Sequence, residues 1–354
     1  MKYISTLLVY CLCSFGFLSE SEVKPRLKTK LTDTLTIAAV GDIMLGSAYP
    51  SRDLLPADDA EGSFDAVAER LKDADLSFGN LEGVLLDEGQ TGKCQQSSSC
   101  YAFRMPERYA AHLKNAGFDL LSVANNHSGD FNEKGREQTA KVLSEAGIQF
   151  AGFMSHTYAL FVKGGVKYGF CAFAPNEGAL SLSDYEIAQD LIAGLKRLSD
   201  IVIVSFHGGA EGAKYQHINR KRELFCGEDR GNVYEFAHLA IDAGADLVLG
   251  HGPHVTRAVD FYKNRFIAYS LGNFCTYGTF SLDGPNGVAP LLEIKLNKQG
   301  EFLSAKVTSV KQTKKFRLQI DPAQTAQKLL RSLSQEDFPE SGLIINEAGI
   351  ILPK

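Results

Sequence analysis

From Leu35 onward, short apolar runs rich in β-branched residues alternate with stretches whose apolar positions recur at helical spacing. The runs Leu35–Val40, Leu76–Phe78, Leu120–Ala124, Gln149–Gly152, Tyr168–Ala174, Ile201–Phe206, Asp246–Leu249 and Arg265–Ser270 predict strands. Between them, Phe64–Asp73, Glu107–Ala116, Lys134–Ala146, Ile187–Leu198 and Val233–Ala243 predict amphipathic helices. Several close on Ala-Gly, where glycine supplies the left-handed residue that stops a helix. Strand–helix–strand repetition predicts an α/β fold with at least partly parallel strands.

After Asn273 the texture changes. Val288–Leu296 and Glu301–Val310 each alternate, and Asn297-Lys-Gln-Gly300 between them predicts a hairpin, giving a β-rich C-terminal edge. A helix follows from about Pro322 to Ser334. No internal repeat or long linker divides the chain. One compact unit over residues 35–311 is expected, with residues 312–354 as a C-terminal helix and tail.

With 44% hydrophobic and 22% charged residues, the 354-residue chain excludes wholesale disorder. Lysine plus arginine total 37 against 42 acidic residues, and no long basic run occurs, so nucleic acid is not an expected partner. Met1-Lys2-Tyr3 and the apolar Ile4–Leu18 stretch predict a secretory signal over residues 1–19, cleaved after Gly16 or Ser19. An uncleaved anchor is the rival, and Cys11 is a poor lipid-anchor site because Tyr10 precedes it. Export to the periplasm, the exterior or the membrane-associated envelope follows. The polar loop from Cys94 to Cys100 suits a disulfide in such a compartment. Zinc is the alternative, without a nearby histidine to support it. Cys171 reads as a core thiol, and a second bridge between Cys226 and Cys275 is the weaker expectation.

The informative feature is where polar residues fall. Val40-Gly-Asp42, Gly79-Asn80-Leu-Glu82, Ala124-Asn-Asn126-His127, Phe206-His207 and Gly250-His251-Gly-Pro-His254 each end an apolar run. In α/β sheets, ligands bind beyond the carboxyl ends of the strands. Carboxylates, amides and imidazoles delivered to one rim would form a mixed oxygen and nitrogen donor set without thiolate. That set suits catalytic zinc, manganese or iron. A lone strand-end aspartate is more commonly a cap or turn former. His112, His156, His217 and His238 end no apolar run and read as surface or satisfied core residues.

Taken in order, Gly41-Asp-Ile-Met-Leu45, Gly79-Asn-Leu-Glu82, Ala124-Asn-Asn-His127 with Asp130, Gly135 and Thr139, His207 with Gly209 and Glu211, Gly250-His-Gly-Pro-His-Val255, and Tyr269-Ser-Leu-Gly-Asn-Phe274 resemble the CapA-type poly-γ-glutamate capsule biosynthesis proteins. That family is a divergent branch of the calcineurin-like metallophosphoesterases, and the resemblance spans roughly Leu35 to Asn273. It implies a four-layer αββα sandwich with mixed sheets and one or two divalent ions (Mn, Zn or Fe). Asp42 and His254 are implied as ligands of a first metal. Glu82 is implied near a shared water, with Asn126, His207 and His251 at a second metal. His127 is implied beside the leaving group, oriented by Asp130; the rival role for Asp130 is capping the next helix. Asn80, Arg104, Glu211, Arg257 and Asn273 are candidate substrate contacts.

The departures from the pattern are specific. Met44 stands where metallophosphoesterases carry a histidine, and Asn80 where they carry a bridging aspartate. Gly208 replaces a common bulky aromatic, and Gly252 a common histidine. Asp42 and Glu82 offer little negative charge against two divalent ions, so partial occupancy of the first site is expected. The resemblance implies a metal-dependent hydrolase of phosphoester or amide-like bonds in envelope-polymer synthesis, acting on an anionic polymer or a phosphorylated small substrate, with membrane-bound capsule-synthesis partners. The alternative is a non-catalytic, metal-stabilised accessory for a polyanion.

Overall fold

A computed structural model describes residues 34–91, 93, 101–313 and 317–354. The signal segment, Cys11, and the Cys94–Cys100 pairing lie outside the described residues. The described residues form one compact unit, and two large sheets run through it.

The first sheet centres on Thr34–Met44, which pairs in parallel with Leu76–Leu81; Leu120–Ser122 and Gln149–Ala151 extend that side, also parallel. Its other side is antiparallel and holds the expected hairpin, Val288–Asn297 with Phe302–Gln312. The segment after residue 311 adds to this same sheet. Leu318–Ile320 and Ile350–Pro353 both pair with Phe302–Gln312, and Leu343–Ile345 pairs with Ile350–Pro353. The second sheet has a parallel centre, Arg265–Ala268, Leu247–His251, Ile201–His207 and Val166–Phe173, with antiparallel edges at Val259–Tyr262 and Tyr158–Lys163.

Period-two alternation assigns each strand's side chains to two cores. Leu35, Ile37 and Ala39 meet Tyr168, Phe170, Ile201 and Ile203 between the sheets. Ala38 and Val40 face the helices Ala68–Asp73, Tyr109–Ala116 and Asn132–Glu145. Val202 and Val204 face the helices Tyr185–Leu198 and Val233–Asp242. The result is the four-layer αββα sandwich with mixed sheets. Strands buried on both faces explain the continuous apolar runs, since each fully buried Val or Ile contributes about 1.5–3 kcal/mol.

The second bridge is corrected. Cys226 is exposed at the tip of a short hairpin while Cys275 is buried on Asn273–Thr276, and both thiols are free. A thiol on a solvent-facing turn and one packed in the core do not meet in this fold.

Candidate metal centre

Strand register brings the polar strand ends together. Asp42 sits beside Asn80 on one side and Asn273 on the other within the first sheet. His251 sits beside His207 within the second. The chain takes a close path at Gly41, where a Cβ would lie 1.9 Å from the Gly272 carbonyl oxygen; the Asp42 N–H donates to that oxygen at 2.8 Å. Glycine before the aspartate is therefore a steric requirement.

The sheets meet through Asp42. His254 Nδ1 lies 3.1 Å from Asp42 Oδ2, and His251 Nδ1 lies 3.4 Å from Oδ1. Asn80 Nδ2 donates to Asp42 Oδ1 at 2.9 Å. His254 Nε2 is 3.6 Å from Glu82 Oε1 and 3.9 Å from Glu211 Oε2. The His254 backbone has a φ of 59°, a left-handed conformation that a non-glycine residue adopts at a cost of about 1–3 kcal/mol.

Ligating atoms of Asp42, Glu82 and His254 all lie within 4.8 Å of one another. Around them, both Glu82 oxygens, both His251 nitrogens, His207 Nδ1 and Asn126 Oδ1 are buried without a hydrogen-bond partner among the described residues. Buried polar atoms are normally paired, so this concentration of donor-ready atoms fits a bound cation. Oxygen and imidazole donors without thiolate fit a divalent ion of the zinc, manganese or iron type.

The electrostatics point the same way. Burial pushes Glu82 up to about 8, against the pull of His254. Burial would also raise Asp42, but the imidazoles of His251 and His254 outweigh it and hold that carboxyl well below the usual range. Burial opposes charge on His254, yet Glu82, Asp42 and Glu211 together raise it to about 10. The raised His254 marks a local field that favours positive charge, whereas the raised Glu82 reflects its burial first. His207 is held well below its ordinary value by burial and by the Arg230 charge.

His127 borders the cluster, its Nε2 4.0 Å from Glu82 Oε1. Its Nδ1 meets Asp130 Oδ2 at 2.7 Å, and Phe103 stacks on the ring with centroids 3.9 Å apart. Burial lowers its pKa despite Asp130. Asp130 does not cap the following helix, whose N-cap position is Phe131 without a side-chain cap bond. Its carboxylate instead accepts from the Phe103 N–H at 2.7 Å and pairs with Lys93.

Residues 36–277 match the family described as bacterial capsule synthesis protein PGA_cap. The chain belongs to this family. It is similar to the capsule biosynthesis protein CapA of Bacillus anthracis, 28% identical over 287 residues that cover 76% of this chain and 66% of that protein. It is also similar to the PGA biosynthesis protein CapA of Bacillus subtilis (strain 168), 28% identical over 270 residues, 71% of this chain and 65% of that protein. The alignments thus span just under two thirds of these relatives' length. Among solved structures, a purple acid phosphatase from yellow lupin superposes with a TM-score of 0.40 at 11% identity, covering 78% of this chain and 51% of that one.

Within this PGA_cap chain, two proposed substrate contacts are placed elsewhere. Arg257 is fully buried and engages both oxygens of Glu223, so it does not present its charge to the cleft. The Arg104 guanidinium donates to the Gly89 and Ala48 carbonyls. Asn80 is buried and spends its amide on Asp42, while Glu211 and Asn273 line the cleft opening. Met44 packs in the apolar core beneath the helices. Two residues escaped the sequence reading. Arg230, 2% exposed, reaches His207 Nε2 at 3.4 Å and Glu211 at 3.0 Å; Lys93 anchors Asp130. Neither ends an apolar run. His217 and His238 are occupied by Asp337 and Asp260.

The glycine departures explain each other. Gly252 has a φ of +115°, and a Cβ there would lie 2.8 Å from the Gly208 backbone. Gly252→His is therefore expected to cost about 1–3 kcal/mol through crowding, read as a lowered denaturant midpoint.

Proposed function

We propose that this chain is a metal-dependent hydrolase of the metallophosphatase type, serving synthesis of a capsule or related envelope polymer outside the cytoplasm. The convergence of Asp42, Glu82 and His254, ringed by unpartnered buried atoms of His207, His251 and Asn126, carries the reading. These six residues would hold one or two divalent ions. A bound ion of this kind supplies Lewis acidity to a phosphoryl or carbonyl oxygen and makes water nucleophilic near neutral pH.

The chain's own groups would do the rest. Asp130 accepts the Nδ1 proton of His127, which fixes the tautomer and leaves Nε2 facing the cluster. Protonated at Nε2, His127 can donate to a leaving oxygen or nitrogen; neutral, it accepts. The stacked Phe103 ring holds the imidazole in plane and excludes water from one face.

The Bacillus relatives are named for capsule and PGA biosynthesis, and a Mycobacterium tuberculosis relative is named a probable polyglutamine synthesis accessory protein. Metal analysis with assays on p-nitrophenyl phosphate and γ-glutamyl p-nitroanilide, with added manganese or zinc, tests the reading. His127→Ala is expected to keep its metal and lose at least about 10²-fold in kcat. Metal retained with no turnover of any ester or amide, and polymer binding indifferent to His127→Ala, would favour an accessory role.

A further inference from the structure

The cleft over the centre divides into two lobes that meet at Tyr101, Asn126, His127 and Glu211. The larger, about 720 Å³, is lined by polar residues that include Asn125, Asn132 and Asn176. The smaller, about 270 Å³, is walled by Tyr101, Phe103, Phe225 and Phe280. These rings come from three separate segments of the chain. Phe280 lies 5.1 Å from Phe103 and 5.3 Å from His254, centroid to centroid, and Tyr101 lies 6.5 Å from Phe103. Among the described residues, Tyr101 is 51% exposed, and neither it nor Phe225 belongs to a buried apolar cluster. Packing alone does not account for aromatic surface left open beside a polar centre.

A second observation concerns Asn273, which is 1% exposed and lines the same small lobe. Its Nδ2 donates to the Asn286 carbonyl at 3.3 Å, but its Oδ1 is buried without a partner. With no cation on it, that oxygen needs a donor. Glu211, on the rim, spends Oε1 on Arg230 at 3.0 Å, and its Oε2, 3.9 Å from His254 Nε2, is acceptor-only when ionised.

A ligand for this lobe must offer a flat apolar face to the rings and donors at its edge. A hydrocarbon ring leaves Asn273 unsatisfied. A bare γ-linked glutamate chain has no ring, and its carboxylates would set acceptor against acceptor at Glu211. A pyranose meets both demands, with C–H groups on its faces and hydroxyl donors on its rim. We propose that the small lobe is a subsite for one sugar ring, carried by the substrate next to the bond that lies over His127. The position of that bond rests on the hydrolase reading; the contact with the ring does not.

The test is saturation-transfer NMR on the full chain in EDTA, with methyl N-acetyl-β-glucosaminide, glycerol and a γ-linked tetraglutamate as probes. Transfer to the sugar ring protons and none to glycerol is expected. In Tyr101→Ala and in Phe280→Ala the sugar Kd should rise at least tenfold. Tyr101 is exposed, so its variant is expected to fold, and circular dichroism melting checks this. No transfer to the sugar, equal transfer to glycerol, unchanged sugar affinity in folded Tyr101→Ala, or displacement of the sugar by tetraglutamate would each overturn the subsite. Metal content, measured separately before chelation, reports on the centre. A chain without metal still answers for the ring, and a metal-replete chain that ignores sugar loses only the subsite.

Discussion

Asp42→Asn is expected to abolish metal retention and, with it, any turnover. Asp42 touches Asn80 on its own sheet and the imidazoles of His251 and His254 across the interface. Its carboxyl is held ionised by those imidazoles even though burial opposes it. An asparagine keeps the shape but removes the charge, and turns an amide N–H₂ toward either Asn80 Nδ2 or His254. Glu82 is then left to balance a divalent ion without the Asp42 charge beside it. Metal affinity should fall by about 10²-fold or more, on the order of losing a ligand or its support. Calorimetry gives a readout independent of catalysis. Metal at a hundred times its Kd stabilises the native chain by about 2.7 kcal/mol, so wild type should melt higher with manganese or zinc. Asp42→Asn should lose most of that shift, since a site 10²-fold weaker at the same metal concentration is stabilised by only about 0.4 kcal/mol. An undiminished metal-induced shift in this variant would remove Asp42 from the centre, and the proposed hydrolase with it.

How far the sequence alone reaches differs between strands and site. Strands buried on both faces were legible because Ile201–Val204 has no polar side to confuse the reading. The edge strand Tyr158–Lys163 was not, because Tyr158, Leu160 and Val162 are apolar yet exposed, which erases the usual alternation. Asn273–Thr276 was missed as a strand because its polar first residue reads as a loop, whereas parallel pairing beside Asp42 is a long-range event. The convergence of strand ends was legible because a polar residue closing an apolar run has few places to go in a parallel sheet. Arg230 was invisible: it follows a two-residue strand in a charged hairpin, and only the fold turns it beneath His207. The burial of Arg257 against Glu223 was equally illegible, because Glu223 lies 34 residues away in the chain.

Arg257→Ala is accordingly expected to act on stability first. Its Nη1 and Nη2 donate to the two Glu223 oxygens at 2.9 and 2.8 Å, and Nη2 also donates to the Ala210 carbonyl at 3.0 Å. Glu223 in turn accepts from the Ala210 N–H at 2.8 Å, and its backbone pairs with Arg230 and Gly231. This one ion pair ties together the loop after His207, the segment that carries Arg230, and the turn after His254. Removing the guanidinium leaves a buried carboxylate uncompensated, a loss of about 3–5 kcal/mol. Arg257→Lys should recover little, because a single ammonium cannot bridge both Glu223 oxygens and the Ala210 carbonyl. Replacing both partners, as in Arg257→Met with Glu223→Leu, should restore much of the loss, since a packed apolar pair carries no desolvation penalty. Denaturant titration of the chelated protein separates this from any ligand effect. If Arg257→Lys instead kept its denaturation midpoint and raised KM alone, the guanidinium would belong to the cleft after all. Its burial against Glu223 would then describe a resting arrangement that substrate displaces.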